Sequence, residues 1–278
     1  MGKWADGKTL SNKSWELLKE NKYFLWFPTL GFVLALFPFI IFGSGVVALA
    51  IEDLNVWAIV TGVVALVFIN FAFTISGAAM VAAVDEELSG RDSSIKYGFG
   101  KAFGRLGALF AWSLIQAVVS ALLGLLRGNN NRGAAIAGNL LAAIGAAAWS
   151  IVTLFVTPFI MLKNEGAVTA LKSSVGMVKE KWGTQVTGGV RIGLRLLIVV
   201  LPAIALIVGG FFLLAGSGTS VSLGLVLLVL GILLLMLSAL LGNALRSIFS
   251  VALFHFTTGE GSIGPFTPTE LEGVLTKK

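Results

Sequence analysis

The chain has 278 residues, 56% of them hydrophobic and only 12% charged, about half the ~25% charged share of a soluble globular protein. With a mean hydropathy of +0.93, no cysteine and one histidine, it excludes a water-soluble enzyme core, a disulfide framework, thiol chemistry and Cys- or His-rich metal centres. The net charge of +6 flanks apolar runs instead of gathering on a soluble face, so nucleic acid is not an expected partner.

The first segment, residues 1–23, is mostly polar. That is too long a lead for a cleaved signal peptide, so the first apolar run is expected to stay in the mature protein. Six apolar runs then follow: Phe24 to Ile51, Val56 to Val84, Ala102 to Leu126, Gly138 to Leu162, Ile192 to Ala215 and Val221 to about Thr257. About 20 helical residues cross a ~30 Å hydrocarbon core, so residues 24–257 are expected to form a six-helix transmembrane domain, with 258–278 as a tail. Several runs exceed that length, which predicts tilt, kinks or projection past the bilayer. Pro28, Pro38, Pro158 and Pro202 can bend a span and free a backbone carbonyl.

A moderately charged stretch precedes each odd-numbered span, in "SNKSWELLKENKYFLWF", near 92–104 and near 166–183. Ser14, Ser94 and Ser174 are spaced by 80 residues each time. Apolar residues recur at helical spacing (Trp15, Leu18 and the Lys22 stem; Ile95, Phe99, Phe103; Val175, Val178, Trp182), with Lys and Arg on the other face. The expected architecture is all-α and polytopic, three pseudo-repeated hairpins each preceded by an amphipathic interfacial helix. Trp4, Trp15, Trp26, Trp112 and Trp182 are expected as anchors at interface depth.

Orientation follows from the basic residues. With the N-terminus inside, 18 of the 20 Lys and Arg lie on the cytoplasmic side and only Arg127 and Arg132 outside. Both termini are thus expected in the cytoplasm of a prokaryotic cell. The outer loops, Glu52 to Asn55, Arg127 to Ala137 and Gly216 to Ser220, are too small for a folded domain.

Candidate functional residues fall in two sets. Asp85, Glu86 and Glu87 close the second span, where carboxylates oppose the helix dipole. They call for a divalent cation, a basic partner helix, or neutralisation by Arg91 and Lys96. Glu165 in "NEGAVTALKSS" sits at an elbow, where capping of the next helix competes with acid–base work. Within the spans the polar residues are Asn70, Gln116, Asn139 and Asn243, which either bond helix to helix or line a cavity. Arg246 lies 25 residues beyond Val221, about 37 Å along a helix, and is expected to snorkel to the inner interface. His255 reads as a helix-end residue. Gly100 and Gly104, Gly124 and Gly128, and Gly189 and Gly193 have the spacing of close helix contacts.

Residues 157–193, "TPFIMLKNEGAVTALKSSVGMVKEKWGTQVTGGVRIG", and 250–275, "SVALFHFTTGEGSIGPFTPTELEGVL", resemble an uncharacterised six-span membrane-protein family of actinobacteria and archaea. The opening "SWELLKENKYFLWFPTLG" is similar as well. The family pattern is matched at Pro158, Glu165, Gly166, Ser173 and Trp182-Gly183, while Phe254 and Phe256 replace its tyrosines. The resemblance implies a fold and no activity.

The leading expectation is a non-enzymatic scaffold, an accessory subunit of a membrane complex or a lipid-organising protein. The alternative is a facilitative transporter of a lipid-like or small amphipathic substrate, with the four amides lining a cavity. Third comes a membrane-embedded enzyme, which needs Glu165 and the Asp85 to Glu87 trio in one pocket. Expected partners are membrane lipids and a membrane protein or second copy of the chain; no cofactor is expected.

Overall fold

Apolar runs this long have no water to satisfy their backbone groups, so helix is the only economical state for them. The computed structural model describes residues 3–50, 56–125, 132–182, 188–214, 219–261, 263–268 and 271, with side chains from residue 12 onward except 44–50, 132–137, 181–197 and 219–220. All its regular elements are helical: α1 (Lys3–Glu20), a 3-10 turn (Lys22–Leu25), α2 (Trp26–Ala50), α3 (Val56–Leu88), α4 (Ile95–Phe103), α5 (Leu106–Leu125), α6 (Arg132–Val152), α7 (Val156–Leu162), α8 (Ala167–Met177) with a π-helical turn (Val178–Trp182), α9 (Gly188–Leu214) and α10 (Thr219–Thr258).

Five segments among the described residues are long and apolar enough to cross a membrane: Lys22–Gly43, Val56–Leu88, Leu106–Leu125, Gly138–Leu162 and Val221–Thr258. The expected fifth run forms α9, whose residues with described side chains, Ile198–Leu214, are an apolar helix. Residues 192–197 of that run lie outside those with described side chains, and Ala215 lies outside the described residues.

The two longest helices change character along their length. At 33 and 40 residues, α3 and α10 extend about 50 and 60 Å, well beyond a ~30 Å hydrocarbon core. The first half of α3 exposes Trp57, Ile59, Val63, Leu66 and Phe68, and α10 exposes Leu223, Leu225, Val229 and Leu233. Thr74 to Val84 and Ala244 to Phe254 are instead mostly buried, against α2, α4, α7 and one another. Both helices therefore have an apolar band fit for lipid and a protein-packed end.

Small residues let the backbones close in the packed end. A Cβ at Gly98 of α4 would strike the Ala79 carbonyl and the Phe27 ring. At the other end α9 and α10 approach through Gly210, Gly224 and Gly231, where an added Cβ would lie 2.8 Å from the carbonyl oxygens of Gly224, Gly210 and Ala203 respectively. These close contacts fall at positions other than the glycine pairs expected from spacing. Gly100 and Gly124 face open space, and Gly128, Gly189 and Gly193 lie outside the residues with described side chains.

The 80-residue spacing joins two like positions and one unlike. Ser14 in α1 and Ser174 in α8 are both fully buried, and four residues on Leu18 and Val178 are buried too. Ser94 instead precedes α4 and caps it, its hydroxyl accepting from the Tyr97 N–H at 3.1 Å. Trp15 and Trp26, expected in an interfacial belt, are exposed. Trp112 is not part of that belt, being buried and stacked on Trp149 at 5.9 Å. The side chains of Trp4 and Trp182 lie outside the described residues.

Candidate functional site

Three of the four span amides meet. Asn70 of α3, Gln116 of α5 and Asn243 of α10 line one cavity of about 370 Å³, together with Arg246 and hydroxyls that include Ser150, Thr153, Thr157 and Ser247. Asn70 lies 14 residues into α3 and 18 from its end, about 21 and 27 Å, so the cavity is near mid-helix. Asn139 does not join it: eleven residues before Ser150 it shares that face of α6 but sits about 16 Å further along, exposed.

The amides here do little to hold helices together. Asn70 and Asn243 donate to the carbonyls of Leu66 and Ala239 on their own helices, at 2.8 and 2.9 Å. Each keeps its carbonyl oxygen and second N–H for the cavity. Gln116 alone bridges, accepting from Thr74 Oγ1 at 2.9 Å. Arg246, an exposed side chain, donates to Ser150 Oγ across the cavity at 3.4 Å. No described carboxylate lies within ion-pair reach of it.

A second lobe of about 300 Å³ adjoins the first and shares Phe73, Gly77, Asn243 and Ser247 with it. Its remaining walls are Pro28, Phe32, Ser76 and Met80, so it is largely apolar. Gly77 stands at the junction, and a Cβ there would meet nothing within 4 Å. A polar chamber thus opens beside an apolar one.

The expected fourth span is broken at this wall. Pro158 has no N–H to give Leu154, and the chain leaves α6 at Val152 and re-enters helix at Val156. Ser174 of α8 fills the gap: its hydroxyl donates to the Val152 carbonyl at 2.6 Å and accepts from the Phe155 N–H at 3.3 Å. Thr153, Leu154, Thr157 and Pro158 of this break face the cavity. Interrupted backbone at such depth is tolerated where it is buried in protein or lines a cavity.

The acidic trio reaches four separate partners. Asp85 Oδ1 and His255 Nε2 are 2.6 Å apart, and His255 Nδ1 donates to the Glu260 carbonyl at 2.6 Å. Glu86 takes two bonds from Arg91, at 2.6 and 3.0 Å, and one from the Tyr97 hydroxyl at 2.6 Å. Glu87 accepts from the Tyr23 hydroxyl at 3.0 Å. Burial and the hydrogen bond to Glu86 push the Tyr97 phenol up to about 12. Arg91 is thus paired with the trio and Lys96 is not, and the remaining bonds come from Tyr23 and Tyr97, which the sequence did not single out, and from His255, which it read as a helix-end residue.

Asp85 and Glu86 line a charged cleft of about 610 Å³ between α3, α4, α7 and the end of α10. Glu87 and Glu165 are not among its walls. The carboxylate convergence that an embedded enzyme would need is not formed. Glu165 contributes its carbonyl, which accepts from Arg105 Nη2 at 2.8 Å, and Gly166, not Glu165, precedes α8 at the N-cap without a side-chain cap. Among the described residues no group of three His, Asp or Glu is arranged to hold a metal ion.

No curated protein and no solved structure matches the chain. A family model does, over residues 56–264, which contain every wall of the polar chamber and of the charged cleft. By that match over most of its length, the chain belongs to a family of unknown function, DUF6159.

Proposed function

We propose that this protein binds a small amphipathic or lipid-like molecule within the membrane and acts as its facilitative carrier, and that it is not primarily a scaffold. The observation behind this reading is the convergence of Asn70, Gln116, Asn243 and Arg246 on a polar chamber that shares four wall residues with an apolar one. A head group with hydrogen-bond acceptors suits Arg246 and the hydroxyls, and a short hydrocarbon portion suits Phe32, Phe73 and Met80. The broken helix beside the chamber is the arrangement by which transporters present backbone groups to a substrate. We place the protein in a prokaryotic plasma membrane with both termini cytoplasmic, on the strength of the distribution of Lys and Arg.

The test is native mass spectrometry of the protein released from its own membranes, for wild type and Gly77→Leu. A Cβ at this junction meets nothing within 4 Å, so the leucine side chain enters the open space there. The carrier reading expects a retained small molecule or lipid in wild type that Gly77→Leu loses. A stoichiometric protein partner with no small molecule would restore the scaffold reading.

A further inference from the structure

The charged cleft carries an imbalance that its own residues do not resolve. Its three carboxylates are each matched: Asp85 to His255, Glu86 to Arg91 and Glu260 to Lys163. Two cations in the same walls, Lys101 and Arg105, make no contact ion pair with a carboxylate among the described residues, Lys101 reaching Glu86 only through longer-range attraction. Lys101 is held over the Tyr97 ring at 5.4 Å, and Tyr97 is itself fixed by its bond to Glu86. Arg105 is aimed by the bond from Nη2 to the Glu165 carbonyl, and its Nε is buried with no acceptor. A buried donor left open in an otherwise satisfied site calls for an explanation.

We propose that this cleft is a binding site for a phosphate-type anion, held by Lys101 and Arg105. Two surplus positive charges match a phosphate monoester, which carries between one and a half and two negative charges near neutral pH. A guanidinium and an ammonium side by side supply the planar fork and the point charge that phosphate oxygens accept. Arg105 also leads into α5, whose N-terminal dipole favours an anion at the same place. Room is provided by the α4 face one turn long between Gly100 and Gly104, and a Cβ at Gly100 meets nothing within 4 Å. The cleft volume, about 610 Å³, takes a phosphorylated small molecule or the head of a phospholipid. The site is separate from the amphipathic chamber, with no lining residue in common, and does not rest on the carrier reading.

The experiment uses the full chain in nanodiscs of phosphatidylcholine. One arm titrates inorganic phosphate by calorimetry; the other adds phosphatidic acid to the nanodisc and counts retained lipids by native mass spectrometry. Wild type is compared with Lys101→Ala and Gly100→Leu, after thermal unfolding shows both variants folded. Lys101→Ala is expected to weaken binding about tenfold, the effect of one charge-assisted hydrogen bond, and Gly100→Leu to abolish it. Binding of inorganic phosphate identifies a soluble ligand, and retention of phosphatidic acid alone identifies a lipid head group. Absence of both in wild type, or binding unchanged in both variants, overturns the proposal.

Discussion

His255 and Asp85, 170 positions apart, meet at 2.6 Å where the packed ends of α10 and α3 run side by side. The other ring nitrogen faces the Glu260 carbonyl, which can only accept, so Nδ1 carries its hydrogen and the imidazole ties the segment after α10 back to the bundle. Both groups are mostly buried, His255 at 8% and Asp85 at 24% side-chain exposure. Asp85→Ala is expected to cost about 1.5–3 kcal/mol, the range for a hydrogen bond to a charged group. Thermal unfolding of Asp85→Ala, His255→Phe and the double variant checks it. Effects that simply add would show that the pair is not coupled.

The Tyr97 phenol, raised from 10.0 to about 12, stabilises the fold in its neutral form. That contribution is complete below pH 10 and is lost as pH rises through the folded value near 12. Only two tyrosines are present, so the phenolate absorbance of wild type minus that of Tyr97→Phe isolates this group. Its ionisation is expected well above pH 10. A midpoint at 10 in the folded protein would mean that neither burial nor the bond to Glu86 holds the phenol neutral.

Ser14 and Ser174 occupy like positions in α1 and α8 with opposite consequences. Ser174 satisfies the two backbone groups opened by the break after Val152, and Ser174→Ala is expected to destabilise by about 1–3 kcal/mol. Ser14 is buried with no hydrogen-bond partner, so Ser14→Ala removes an unmet polar group and is expected to be neutral or stabilising. Parallel melting curves compare them. Equal losses would contradict the assigned roles.

Gly98 and Gly100 form a second contrasting pair. Gly98→Ala drives a methyl into the Ala79 carbonyl and the Phe27 ring and is expected to lower the melting temperature strongly, by separating α4 from α3. Gly100→Ala meets open space and gains up to about 1 kcal/mol of helix propensity. A tolerated Gly98→Ala would show that the two helices are not in such close contact.

Apolar run length made the helical spans legible, because period and composition are local properties. The same locality explains what was missed. For Asp85, Glu86 and Glu87 the sequence offered only a cation, a basic partner helix or the nearby Arg91 and Lys96, because Tyr23, Tyr97 and His255 are brought in by other elements. Gly210, Gly224 and Gly231 escaped a search at four-residue spacing because their contact surface is shared between α9 and α10. Pro158 pointed to a bend in the fourth run, but the residue that sustains the break, Ser174, could be found only in space. The amides Asn70, Gln116 and Asn243 were visible as polar residues in apolar runs, and Asn139 looked the same. Position along the helix, not residue type, separates it from the chamber.

The most direct measurement uses the natural absence of cysteine in this chain. Single variants Asn243→Cys, Ser247→Cys and Thr157→Cys at the chamber wall, and Leu233→Cys on the exposed apolar face of α10, would be reconstituted in liposomes. Each is then treated with a membrane-impermeant thiol reagent added from either side. A polar chamber that serves an amphipathic substrate predicts rapid labelling at the three wall positions and none at Leu233→Cys. Wall positions no more reactive than Leu233→Cys would contradict a water-accessible chamber, and with it the carrier function.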